Sequence, residues 1–295
     1  MQQRLLLAGQ GSSVVVPSLI TRLQGGTVAS ELFTLPNGIN EFDILYDGDY
    51  HLFYSTYNND GATLKTHHRQ ASTVAGLSSA SDAVALAGKV VPTVIKVGTT
   101  WHMWCNDFTS TRTTFHYTAS SPDGPFTLSD TVSGSKGDPH VRYRDFDGRW
   151  YMAYIGGSGP TMDPSNWRCG LMWASDPAGP WTDLGFTFTS KAAWYNLETD
   201  AAVIFVEGRV YMALAGLDVS DVQCCGMAEV DPSTWQATAD AVILVSPTEA
   251  WEQRNGAHRV FNPVFEPQDQ RFYFSHNPGY AGAWYSVTTG WSYLA

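Results

Sequence analysis

The sequence predicts an all-β fold: a single five-bladed β-propeller with four-stranded antiparallel blades around a central funnel. Three observations predict it. Five segments repeat one pattern, an apolar strand, a tight polar turn and an aromatic-rich strand. The segments recur at a spacing of roughly 50 to 60 residues, the length a four-stranded blade with its loops requires. No stretch sustains an apolar period of 3.6 residues, and Gly and Pro are scattered as turn punctuation, which disfavours parallel α/β architectures.

The elements follow in order. Residues 1–36 precede the first repeat and are expected to supply an outer strand or a closing segment. The five hairpins are FDILYDGDYHLFYS (42–55), PTVIKVGTTWHMWCND (92–107), DPHVRYRDFDGRWYMAYIG (138–156), TDAAVIFVEGRVYMALAG (199–216) and NPVFEPQDQRFYFSHN (262–277). A third strand follows in the middle three units, at 115–126, 169–181 and 225–235. Blades are expected to start near residues 37, 90, 137, 197 and 257, so that 1–295 form one domain. His67 and His68 lie beside Lys65 and Arg69 on a polar strand that reads as a solvated face.

Composition narrows the function. Hydrophobic residues make up 43% and charged residues 15%, so the chain can bury a large core. The net charge is −11, and no stretch gathers Lys and Arg into a stripe, which argues against a nucleic-acid partner. No apolar run is long enough to cross a membrane. The first residues carry too short an apolar run for a secretory signal, which leaves both extracellular and cytoplasmic locations open. Cys105, Cys169, Cys224 and Cys225 lack metal-site spacing. They read as buried free thiols, with a disulfide from Cys169 or one of the vicinal pair as the alternative. No GxSxG, P-loop or HExxH motif occurs. With 11 Trp, 14 Tyr and 14 Phe, the chain has flat aromatic faces to spare for the apolar faces of sugars, although most aromatics read as core.

Acids gather where the innermost strands begin: Asp43 in NEFDILY, Asp138 in KGDPHV and Glu198 in NLETDA. Asp138 and Glu198 each stand ten residues before their hairpin glycines, Gly148 and Gly208. Asp43 sits between Phe42 and Ile44, where a charge is costly unless it is used. Asp200 rivals Glu198 as the inward acid if the strand begins one pleat later. Such a set suits glycoside cleavage, which needs one protonated carboxyl to donate to the leaving oxygen and one carboxylate to activate water or attack carbon. A negative Asp138 near Glu198 would raise the pKa of the donor.

On these residues the chain resembles the five-bladed propeller glycosidases of glycoside hydrolase family 43 and related families: arabinanases, arabinofuranosidases and xylosidases. The resemblance spans residues 37 to about 285 and rests on the blade 1 Asp, the blade 3 Asp-Pro, the Glu opening blade 4, and Gly256-Ala257-His258 followed by RFYFSH. It implies Asp43 as general base, Glu198 as general acid and Asp138 as the group that tunes and orients that acid. The family pattern has Asp-Pro in blade 1 and Gly-Pro after the blade 4 Glu, whereas this chain has Asp43-Ile44 and Thr199-Asp200. The fructan-cleaving Asn-Asp-Pro-Asn segment is absent.

His258 reads either as a core imidazole or, as the resemblance implies, as an axial group touching substrate or a water on a central Ca²⁺. No cofactor is required. Substrate contacts are expected from Asn40, Phe42, Asp200, His258 and Arg259. Sugar platforms are sought among Phe108, Trp167, Trp194, Tyr195 and Trp251. The expected activity is inverting acid/base hydrolysis of an arabinose-, xylose- or similar sugar-containing oligo- or polysaccharide by a monomer. The alternatives are a non-catalytic carbohydrate-binding propeller and an assembly platform, of which the last leaves the inward acids unexplained.

Overall fold

The computed structural model describes residues 17–29, 32–35, 38–56, 64–107, 113–132, 136–157, 167–220, 222–248, 258–276 and 289–294. The chain is a five-bladed β-propeller. Blade 1 runs outward through Gly38–Tyr46, Tyr50–Thr56, Lys65–Ala71 and Ala83–Ala87. Blade 2 comprises Val90–Val97, Thr100–Asn106, Thr114–Ala119 and Thr127–Val132. Blade 3 comprises Gly137–Arg144, Arg149–Gly156, Arg168–Ala174 and Thr182–Phe186. Blade 4 comprises Leu197–Val206, Arg209–Leu217 and Val222–Asp231, with an outer edge split between Gln236–Ala237 and Val242–Val245.

Blade 5 draws on both ends of the chain. His258–Glu266, Arg271–His276 and Thr289–Leu294 form its inner three strands, and Phe33–Leu35 adds the outermost, pairing Phe33 with Trp291 and Leu35 with Thr289. A short parallel contact of Val222 and Gln223 with His258 and Arg259 joins blades 4 and 5. The inner strands touch in cyclic order, blade 1 to 2 and so on round to 5 and back to 1.

The inner hairpins turn on residues that tolerate positive φ. Gly48, Gly98, Gly148 and Gly208 take that conformation in blades 1 to 4, and Gln270 takes it in blade 5. Alternation along the second strand of each blade then sends successive side chains to opposite neighbours. One buried cluster results in every seam. Phe53, Trp101 and Met103 fill the seam of blades 1 and 2, and Trp104, Trp150 and Met152 that of 2 and 3. Tyr151, Ile155, Met212 and Leu214 fill that of 3 and 4, Tyr211, Phe272 and Phe274 that of 4 and 5, and Tyr54, Val264 and Tyr273 that of 5 and 1. Each such side chain contributes roughly 1.5–3 kcal/mol by leaving water, so the seams hold the ring together.

Two features depart from the sequence reading. Leu19–Gln24 form a short α-helix capped by Ser18, whose leucines Leu19 and Leu23 are buried in the blade 4–5 seam. Six residues are too few for a sustained helical period to register. His68 does not lie on a solvated face. It is 2% exposed, its Nε2 is 3.0 Å from Nδ1 of His51 and its Nδ1 is 2.6 Å from Asp123 of blade 2, while its ring stacks on Phe53. His102 and His116 stack likewise between Trp104 and Trp150. All four cysteines are free and buried.

Candidate active site

Every inner strand carries a register shift near its start. The shifts fall between Gly38 and Phe42, Val90 and Thr93, Gly137 and His140, Glu198 and Asp200, and Phe261 and Val264. Within them Val91, Asp138 and Asn262 hold left-handed φ of 59°, 49° and 48°. Such a conformation is uncommon for any residue with a Cβ and an outlier for valine. Asp138 lies inside the blade 3 shift, and Glu198 and Asp200 flank the blade 4 shift on the neighbouring inner strand.

The blade 1 place is fixed by inter-blade bonds. The amide of Val94 donates to Asp43 Oδ2 at 2.8 Å as the amide of Val141 donates to Thr93 Oγ1 at 3.1 Å, so Asp43 matches Thr93. The amide of Val91 donates to Ser55 Oγ, and that of Asp138 to Asn106 Oδ1, each at 2.8 Å, so Val91 matches Asp138. Counting back two residues from Asp43 as from Thr93 puts Glu41 level with Val91 and Asp138. Glu41 is half-buried, with one carboxylate oxygen shielded from solvent.

Asp43, the expected base, lies two residues deeper and is wholly buried. Arg142 reaches it from blade 3, Nη2 to Oδ1 at 2.8 Å and Nη1 to Oδ2 at 3.1 Å, and Thr93 Oγ1 donates to Oδ2 at 3.1 Å. This carboxylate accepts four hydrogen bonds, three at Oδ2 and one at Oδ1, and is paired with a guanidinium. Glu41, at the blade 1 position that matches Val91, was not singled out by the sequence reading. The signal was available: Glu41 precedes Gly48 by seven residues, as Val91 precedes Gly98.

Glu198 is fully buried. Burial pushes its carboxyl above the ordinary 4.5, opposed by the amide of Cys169, which donates to Oε2, and by Arg168, whose Nε lies 3.4 Å from Oε1. Desolvation, rather than the expected repulsion from Asp138, is the leading cause. Asp138 is 8% exposed.

No protein-family model and no curated protein matches the sequence. Solved structures do match. The GH43_1 enzyme from Xanthomonas citri complexed with xylotriose aligns with TM-score 0.63 at 12% identity, covering 94% of this chain and 93% of its own. The alpha-L-arabinofuranosidase from Podospora anserina in complex with cellotriose aligns with TM-score 0.64 at 12% identity, covering 92% and 96%. The native arabinanase of Bacillus subtilis aligns with TM-score 0.52 at 17% identity, over 69% and 71%. The chain shares the fold of these glycosidases.

The remaining expected contacts divide by environment. Phe42 is 3% exposed and packs in the blade 5–1 seam, away from any sugar. Trp194 donates Nε1 to the carbonyl of Ala241 at 2.7 Å, and its partly buried ring lies where Gly216 and Gly226 leave room. Tyr195 is 5% exposed in the blade 3–4 cluster, near enough to Glu198 that the carboxylate adds to burial in raising its phenol. Trp167 is partly buried against the same cluster. Asp200 is 7% exposed, and Thr199 Oγ1 donates to its Oδ2 at 3.1 Å. The side chains of Asn40, His258 and Arg259, and the whole of Phe108, Trp251 and Gly256-Ala257, lie outside the described residues. Among the described residues no cluster of three or more His, Cys, Asp or Glu side chains is placed to hold a metal.

Proposed function

We propose that the chain is an inverting glycoside hydrolase of arabinose-, xylose- or similar sugar-containing glycans, with Glu198 as general acid and Glu41 as general base. The observation that carries this reading is that Glu41, Asp138 and Glu198 all stand at the register shifts near the starts of their inner strands, with burial raising the carboxyl of Glu198. A buried carboxyl that keeps its proton donates to the leaving oxygen, while a less buried carboxylate opposite it takes the proton of the attacking water. Asp138, on the strand next to Glu198, orients the acid and the sugar hydroxyls. The reaction needs no cofactor. The solved neighbours holding xylotriose and cellotriose support a pentose- or glucose-type oligosaccharide as ligand.

One observation favours a second reading, a carbohydrate-binding propeller without turnover. Both oxygens of Glu198 have cationic or N–H partners in Arg168 and Cys169, which favour the ionised form.

The test screens arabinan, arabinoxylan and aryl glycosides with wild type, Glu198→Gln and Glu41→Gln, alongside oligosaccharide titrations. Glu198→Gln is expected to lose about 10²–10⁴ in kcat on polymers and much less on aryl glycosides with good leaving groups. Glu41→Gln is expected to slow every substrate. Wild type that binds an oligosaccharide and turns over nothing assigns the chain to the binding reading.

A further inference from the structure

Among the described residues, charged and polar side chains of the inner strands meet at Arg142. Arg142 leaves the inner strand of blade 3, passes across the axis and pairs with Asp43 of blade 1, while its Nη1 also donates to Thr93 Oγ1 of blade 2 at 3.3 Å and to the carbonyl of Val141 at 2.8 Å. Glu266 of blade 5, 6% exposed, is close enough to feel the charges of both Arg142 and Asp43. One guanidinium thus bonds to side chains of two further inner strands, of which that of Asp43 is not adjacent to its own.

We propose that Arg142 is a built-in cation of the axis, holding the inner strands of blades 1, 2 and 3 together with no need of a bound metal at this level. The donor set at this level does not fit calcium, which takes six to eight oxygens. Both oxygens of Asp43 are engaged by N–H or O–H donors, and a divalent ion would lie against a fixed positive charge. Guanidinium suits the place because its planar fork matches a carboxylate edge and stays charged at any working pH. The inner strands of blades 1, 2 and 3 are thereby tied to one centre.

The experiment is thermal melting of the whole chain in excess EDTA and in excess CaCl₂, for wild type, Arg142→Ala and the double variant Asp43→Asn/Arg142→Met. Wild type is expected to melt at the same temperature in both. Arg142→Ala strands a buried carboxylate and should lower Tm by about 10 °C. Added Ca²⁺ or millimolar guanidinium should recover part of that loss by occupying the vacated place. The double variant removes both charges and should melt well above Arg142→Ala, which keeps the test decisive if the single variant does not fold. A wild-type Tm that falls in EDTA, or a double variant no more stable than Arg142→Ala, overturns the proposal. None of these readouts depends on glycosidase activity, so its failure is distinct from failure of the functional reading.

Discussion

Burial lifts the Glu266 carboxyl from 4.5 to about 7, against the pull of the Gln268 amide, 2.9 Å from Oε1, and of Arg142. The folded chain therefore holds this proton more tightly than the unfolded chain does. The stability it contributes is fully present below about pH 4.5 and is lost as pH rises through about 7, a loss on the order of 3 kcal/mol. Glu266→Gln should flatten that part of the stability curve, and denaturant melts at pH 5 and pH 8 check it. An unchanged pH dependence would place the titrating group elsewhere. The residue scale is also where the sequence was hardest to read. Asp138 and Glu198 were legible because both count ten residues from a turn glycine. Asp43 drew attention as a charge among apolar neighbours, yet the physical reason for it is an ion partner 99 positions away, which no local pattern discloses. Glu41 was passed over because it stands seven residues before its turn glycine, whereas Asp138 and Glu198 stand ten before theirs.

Strands and their turns were the most legible elements, since period-two alternation and turn residues are local signals. Inner strands begin at residues 38, 90, 137, 197 and 258. The outer strand of blade 4, broken into Gln236–Ala237 and Val242–Val245, left no such signal. The seams between blades 1 and 2 and between 2 and 3 set the acid limit of these elements. Burial first, and then the partner imidazole, holds His51 and His116 down from 6.5 to about 4. A depressed imidazole contributes stability that is present above about pH 6.5 and lost as pH falls through about 4. Peptides from 50–71 and 100–119 should accordingly lose hydrogen-exchange protection first on acidification from pH 7 to pH 4.5. His51→Gln with His116→Gln should delay that loss. Uniform loss across all five blades would show that the histidine seams are not the weak elements.

At the scale of the whole molecule, the ring depends on a strand far from its partner in sequence. Phe33–Leu35 covers Thr289–Leu294, Val28 bridges to Leu294, and Ser292 Oγ donates to the carbonyl of Ala29 at 2.7 Å. The helix before it locks blade 4 to blade 5, with Arg22 3.0 Å from Glu207 and 3.4 Å from Gln270. Removing residues 1–35 should bare the edge of Thr289–Leu294, lower Tm and promote aggregation through an unpaired strand. Melting and light scattering of the shortened chain test this, and a chain that stays monomeric with unchanged Tm would deny the segment its sealing role. The sequence announced a closing segment only as residues left over before the first repeat, because three residues carry too little pattern to name their partner.

That seal imposes an order in time. During synthesis Phe33–Leu35 leaves the ribosome with the first blade, but its partner Thr289–Leu294 follows about 250 residues later, tens of seconds at ordinary rates of translation. Blades 1 to 4 must hold as an open arc for that interval, each leaning only on the blade before it. Inter-blade ties made as each new inner strand arrives, Val94 to Asp43 and then Val141 to Thr93, give the arc a way to lengthen in register. The early strand meanwhile waits unpaired, and a nascent arc meeting another on the same polysome would offer it a foreign edge before its own is made.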